Sequence, residues 1–174
     1  MPPRLISIVI HMNTIKKKRI VIKPGDIFEY KYGAKKRFFQ FMTVDRNCLN
    51  GDVIRCFKKE YAVVDSPDPQ EIVKDEVLIY LQTGIYAGRA FNLWERIGNV
   101  AVDHVTLPYF RATDDVASEV DVSDKWYIWK PNGKVIKVGR LTDEIKSYPT
   151  GGVIHPLSVP EILRTGKNPF RKPG

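Results

Sequence analysis

Along several short stretches, apolar and polar residues alternate with period two, the pattern of strands that turn one face inward. "RIVIK", residues 19–23, predicts the first half-buried strand. "KPGD" follows, with Pro24 and Gly25 supplying the fixed and the permissive φ of a tight turn. "IFEYKY" (27–32) and "RFFQFMTV" (37–44), joined by the short "GAKK" link, predict a hairpin. In its second strand Phe39, Phe41 and Thr43 share one face, and Phe38, Gln40 and Met42 the other. "NCLNGDVIRCFKKEY" (47–61) reads two ways. Val53, Cys56 and Phe57 fit helical spacing with Asn50 as a cap, whereas Val53, Arg55, Phe57 and Lys59 alternate apolar and basic. Its strand-forming residue types favour a strand.

Further on, "DPQEIV" suggests one helical turn, and "EVLIYLQT" (76–83) is a continuous apolar run expected to be buried on both faces. "FNLWERIGN" (91–99) and "VTLPYFRAT" (105–113) predict two more strands, Pro108 confining the second to an edge or bulge. "KWYIWKPNGKVIKVGRL" is the clearest unit, a hairpin of strands 126–130 and 134–138 around Asn132-Gly133, which favours positive φ. "TDEIKSY" predicts a short helix. "SVPE" reads as a capping box from Ser158 to Glu161, with Pro160 in the first turn and Gly166 as the stop, and predicts a helix over 159–165.

These elements sum to a mainly β chain of eight to ten strands with two or three short helices, one near the C-terminus. A curled antiparallel sheet or small barrel would accommodate them in a single domain over residues 16–174. Residues 1–15 form a leader outside it, and everything recognisable begins after Met12. "LISIVI" (5–10) is shorter than a signal h-region of about 7–15 residues and a membrane span of about 20. No membrane partner is expected. Residues 114–124 are the best candidate for a long surface loop.

Composition changes this picture in two places. Only two cysteines occur, Cys48 and Cys56, too few for a disulfide framework or a zinc site, so both are expected as small buried hydrophobes in a reducing, cytoplasmic setting. The net charge of +8 is unevenly spread. Cations crowd "KKKRIVIK" (16–23), "KKR" (35–37) and the C-terminal tail. One acidic window holds Asp65, Asp68, Glu71, Asp75 and Glu76 against a single lysine, net −4. A second holds Asp114, Asp115, Glu119, Asp121 and Asp124 with no cation, net −5, so the rest of the chain carries +17. The basic arm beside aromatic strands would suit a nucleic-acid backbone; the bland alternative is lysines guarding an edge strand.

Catalytic chemistry is hard to find in the residue pattern. His11, His104 and His155 show no ligand spacing and no adjacent nucleophile, and phosphate-cradling glycine motifs are absent. The carboxylates of "DSPDPQE" lack calcium-loop spacing. The expectation is therefore a non-enzyme with no metal and no cofactor. The aromatic set Trp94, Trp126, Tyr127, Trp129 and Tyr148 could form a platform. In the hairpin, however, Trp126 and Ile128 oppose Tyr127 and Trp129, so at least one face belongs to the core.

Several of these segments together resemble a bacterial family. "IKPGDIFEYKY", "FFQF", "LNGDVIRCFKKEY", "IVKDEV", a Trp near "IG", "KWYIWKPNGKVIKVG" and "GGVIHPLSVPEILRTG" resemble the immunity protein 26 family of polymorphic toxin systems, over residues 16–170. The resemblance implies a mostly β fold and an immunity protein that neutralises a cognate protein toxin by direct contact, with no catalytic residues to carry over. If the toxin is a nuclease, either acidic window could fill its basic groove as a phosphate mimic.

Overall fold

A computed structural model describes residues 20–168 and 172–174; "LISIVI" and "KKKR" lie outside the described residues. The chain is mainly β, in two sheets. β1 (Asp26–Tyr32) and β2 (Lys35–Asp45) form the expected hairpin, with Phe28 opposite Phe39. The preceding turn is closed by Asp26 N–H donating to Lys23 O, with Gly25 at φ +93°. β3 (Gly51–Phe57) pairs with β2, which settles the ambiguous stretch as a strand. Asn50 does not cap a helix; it takes a positive φ of 55° in the turn leading into β3. β4 (Tyr61–Ala62) pairs with the start of β2. Helix α1 (Pro69–Ile72) is the anticipated single turn, and β5 (Val77–Thr83) then joins β3.

Helix α2 (Ile85–Ala90) precedes β6 (Glu95–Asn99), which pairs with β1. The second sheet is antiparallel, in the order β7 (Phe110–Ala112), β8 (Trp126–Trp129), β9 (Ile136–Gly139). After it come α3 (Asp143–Lys146), β10 (Val153–Ile154), a 3-10 turn over Pro156–Ser158 and α4 (Val159–Thr165). β10 runs parallel to β5, so the seven-stranded sheet reads β10-β5-β3-β2-β1-β6, with β4 on the side of β2. Both sheets are curled and open rather than closed into barrels.

The large sheet is covered on both faces, which explains runs such as "FFQF" and "VIRCF". On one face Phe28, Phe39, Phe41, Ile54, Cys56 and Leu81 meet Trp94 and the α4 residues Val159, Ile162 and Leu163. On the other, Ile27, Phe38 and Phe57 pack on Ile72 of α1, while Met42 and Val53 pack on Phe110 and Trp129 of the small sheet. β5 is fully buried only from Leu81 to Thr83; Val77 to Tyr80 are half-buried.

Four expectations are corrected. Residues 20–23 are not a strand: Val21 is 80% exposed and Ile22 donates its N–H to the Tyr86 hydroxyl instead of to a neighbouring strand. The strand expected over 91–99 begins only at Glu95, because residues 85–90 coil as α2 and Phe91 caps that helix. Ser158 does not cap α4 with its side chain, since it already has helical backbone angles at the end of the 3-10 turn. The side-chain cap lies upstream, where His155 Nδ1 accepts from Leu157 N–H. The described helices number four, α2 being the one for which the residue pattern carried no expectation; Gly166 ends α4 at φ +70° as anticipated.

Candidate functional site

The two acidic windows turn out to differ physically. In the first, every carboxylate is engaged locally. Asp65 accepts from Ala62 N–H at 2.8 Å, and Asp68 caps α1 by accepting from Gln70 N–H at 2.9 Å. Glu71 pairs with Lys74, Asp75 accepts from the Tyr61 hydroxyl at 2.8 Å, and Glu76 pairs with Lys58 at 3.1 Å. The β3–β4 connection also brings up Lys59, which sits over the Tyr61 ring and feels Asp75 and Glu71. Counting Lys58 and Lys59 reduces the local charge from −4 to −2. This window is a set of surface ion pairs, each worth roughly 0–1 kcal/mol, and a helix cap worth about 0.5–2 kcal/mol.

The second window divides its labour. Asp115 accepts from Ser123 Oγ and Lys125 Nζ, both at 2.8 Å, and these partners hold its carboxyl below the ordinary range. Thr113 Oγ1 lies 2.9 Å from Ser123 Oγ, and both residues are buried. Asp114 accepts from the Tyr127 hydroxyl at 3.2 Å. The C-terminal residue clamps the same loop, with Gly174 N–H donating to Asp121 O at 2.7 Å and Gly174 O accepting from Ser123 N–H at 3.1 Å. Two carboxylates thus shape the loop. The carboxylates of Glu119, Asp121 and Asp124 remain exposed and, among the described residues, form no hydrogen bond or ion pair, although Asp124 feels the charge of Lys125. Val116 and Val122 stand beside them, 52% and 63% exposed.

What holds this loop in place against the large sheet is a residue that the pattern of the chain did not single out. Asp45, at the end of β2, is fully buried. Its Oδ2 accepts from Gln82 Nε2 of β5 and Trp129 Nε1 of β8, each at 2.7 Å. Its Oδ1 accepts from Asn47 N–H at 3.0 Å and Asn132 N–H at 3.2 Å. Asn132, at φ +62° in the hairpin turn, returns a bond from Nδ2 to Val44 O and accepts from Arg46 N–H. One carboxylate thereby joins β2, β5 and the β8–β9 hairpin, from which the acidic loop hangs. The only hint in the sequence is an acid closing an otherwise apolar and aromatic strand.

The other candidates resolve as wall. Trp94, Trp126 and Trp129 are buried, so both faces of the hairpin strand are covered and no tryptophan platform is exposed; Tyr127 and Tyr148 are half-buried. Cys56 is buried, and burial pushes its thiol well up. Cys48 corrects the expectation of two buried cysteines: it is half-exposed at the rim of a cavity with Tyr127 and Asp114, its thiol likewise raised by burial and by Asp45. Arg55 is corrected too. The alternation of apolar and basic residues over 53–59 implies an arginine that is solvated or faces a partner, but it is 7% exposed, bonded through Nε and Nη2 to Gln40 Oε1 and stacked on Phe57. His104 is exposed, His155 serves as a cap, and His11 lies outside the described residues.

Among the described residues, no group of three or more His, Cys, Asp or Glu side chains could hold a metal ion, and no helix is long and apolar enough to cross a membrane. Comparison with family models, curated proteins and solved structures gives no match for this chain.

Proposed function

We propose that the chain is an immunity-type protein, a non-catalytic cytoplasmic binder that neutralises a cognate bacterial toxin by direct contact through residues 114–124. The observation that carries this reading is the division of labour in the loop. Asp114 and Asp115 are used up in holding it, which leaves Glu119, Asp121 and Asp124 without a hydrogen bond or ion pair among the described residues, Asp124 feeling only the charge of the neighbouring Lys125. A partner that meets preordered charges loses little entropy on binding. Unpaired carboxylates interleaved with exposed valines suit a basic, partly apolar surface such as the substrate groove of a nuclease toxin. The family resemblance supports the same class of partner.

The test is to read the neighbouring genes for a toxin domain and co-express any that is found with this chain, followed by binding kinetics. Growth rescue and a measurable complex are expected. The triple variant E119K/D121K/D124K should lower the association rate by about 10–100-fold at low salt, since complementary charge acts mainly on encounter. A double reversal in the other window, E71K/E76K, should change it by less than about threefold, because those carboxylates are locally compensated. An unchanged association rate for the triple variant overturns the role of the loop. Absence of rescue, combined with binding to duplex DNA that weakens steeply with salt, would favour the alternative of a nucleic-acid module built on the basic N-terminal arm.

A further inference from the structure

A cavity of about 520 Å³ opens where the 23–26 turn, the exit of β2, the entry of β3 and α2 converge, with Asn132 of the Asp45 network at its edge. Its size falls within the roughly 300–1,000 Å³ of small-molecule sites. Ile22, Pro24 and Phe41 give it apolar walls. Val44 adds to them, and the polar lining is Asp52, Arg46 and Tyr86 with the uncharged Thr43 and Asn132. Asp52 faces Val44 across the β2–β3 ladder, and Arg46 follows Val44 by two residues, so strand register brings the acid and the cation to one cavity.

The charges there are unspent. Asp52 is half-buried; its Oδ2 accepts from Ile85 N–H at 2.8 Å, and its Oδ1 has no hydrogen-bond partner among the described residues. Burial pushes its carboxyl up, the backbone bond offsetting only part of this, whereas the carboxyls of Glu29, Glu60, Asp115 and Glu161, each bonded to a cation, are held low. Arg46 is exposed and makes no ion pair among the described residues, with Asp52 or any other acid. The Tyr86 oxygen accepts from Ile22 N–H, so its own hydroxyl hydrogen stays available to donate. Opposite charges that border one cavity without pairing across it leave room for a ligand carrying both.

We infer that this cavity binds a small zwitterion of the basic amino-acid class: a guanidinium or ammonium head on Asp52, a methylene stem against Phe41, Ile22 and Pro24, and a carboxylate on Arg46. A cationic head supplies the half-buried carboxylate with the counter-charge it lacks, and a charge-assisted bond is about twice as strong as a neutral one. The stem matches the apolar walls. Arg46 distinguishes a free amino acid from the same side chain presented without a carboxylate.

Calorimetric and NMR titration of the full chain with L-arginine, L-lysine and agmatine tests this. Saturable binding of L-arginine is expected, with amide shifts centred on Arg46, Asp52 and Tyr86. D52N, whose carboxamide oxygen still accepts from Ile85 N–H, should lose at least about tenfold in affinity for all three ligands. R46Q, a neutral change at an exposed side chain, should lose at least about tenfold for L-arginine while leaving agmatine within about threefold. Lack of saturation by all three up to about 20 mM, a concentration at which even millimolar sites fill, overturns the proposal. So does binding by D52N equal to wild type. Neither outcome bears on toxin rescue, which the loop variants measure separately.

Discussion

Replacing Asp45 by alanine should lower the midpoint of thermal unfolding by about 10 °C, a drop of roughly 4 kcal/mol at about 2–4 °C per kcal/mol for a chain of this size. The carboxylate is fully buried and satisfies four donors, two of them side chains and two backbone amides. Alanine leaves all four unpaired; the Gln82 and Trp129 donors are buried, where each orphan costs about 1–3 kcal/mol before local relaxation, and the Asn47 and Asn132 amides are part-buried and cost less. An exposed pair such as Glu71 with Lys74 offers a contrast, because breaking it should cost less than about 1 kcal/mol. Asparagine at position 45 should recover less than half of the loss, since its NH2 group would face two donors where an oxygen stood. Calorimetry on the three proteins checks the order. A midpoint for the alanine variant within about 2 °C of wild type would mean that apolar contacts alone dock the small sheet. Because the hairpin carries Tyr127, and Tyr127 holds Asp114, the same variant should also blunt the association rate of the loop.

The contrast between Asp45 and the hairpins it joins shows what could be read from the chain and why. The turns at Gly25 and Asn132, the β1–β2 and β8–β9 hairpins and the α4 stop at Gly166 are each fixed within a few residues by positive φ and local alternation. They were legible for that reason. The bonds of Asp45 reach Gln82 and Trp129, 37 and 84 residues away, and no period of two or 3.6 encodes such a distance. Arg55 failed for a related reason. Alternation of Val53, Arg55 and Phe57 with an apolar face implies that the arginine shares the face of its neighbours, and that face is covered rather than open to solvent. Its charge is accommodated by Gln40, whose Nε2 in turn donates to Gly25 O and Val100 O, partners 15 and 60 residues distant. Of the candidate partner-binding residues, the sequence located both acidic windows but not their difference, because compensation by Lys58 and Lys59 and clamping by Gly174 are tertiary facts.

The second large effect is expected at Gly88, inside the helix that the residue pattern did not announce. Glycine in a helix interior ordinarily costs about 1 kcal/mol relative to alanine, so on propensity alone Gly88→Ala should stabilise α2. The opposite is expected here. A Cβ at this position would overlap the six-membered ring of Trp94, which leaves no room between helix and indole. Trp94 cannot simply step aside. It is 1% exposed, its Nε1 donates to Ile85 O at 3.1 Å, and its ring meets Phe39 edge-on at 5.3 Å between centroids. Moving it would break the indole bond and disturb the face where Phe28, Phe39 and α4 meet, so the net loss should reach about 3 kcal/mol, the upper range for overpacking. Urea denaturation with an unchanged m-value would report this as lost stability rather than as a change in the unfolded state. If Gly88→Ala is neutral or stabilising, α2 does not rest on Trp94 as described. The double variant with Trp94→Leu should be less than additive, because a smaller side chain removes the overlap that makes the glycine necessary. Propensity loses to packing at this residue, and that reversal hid the helix: its glycine serves the tryptophan six residues later, not the helix that contains it.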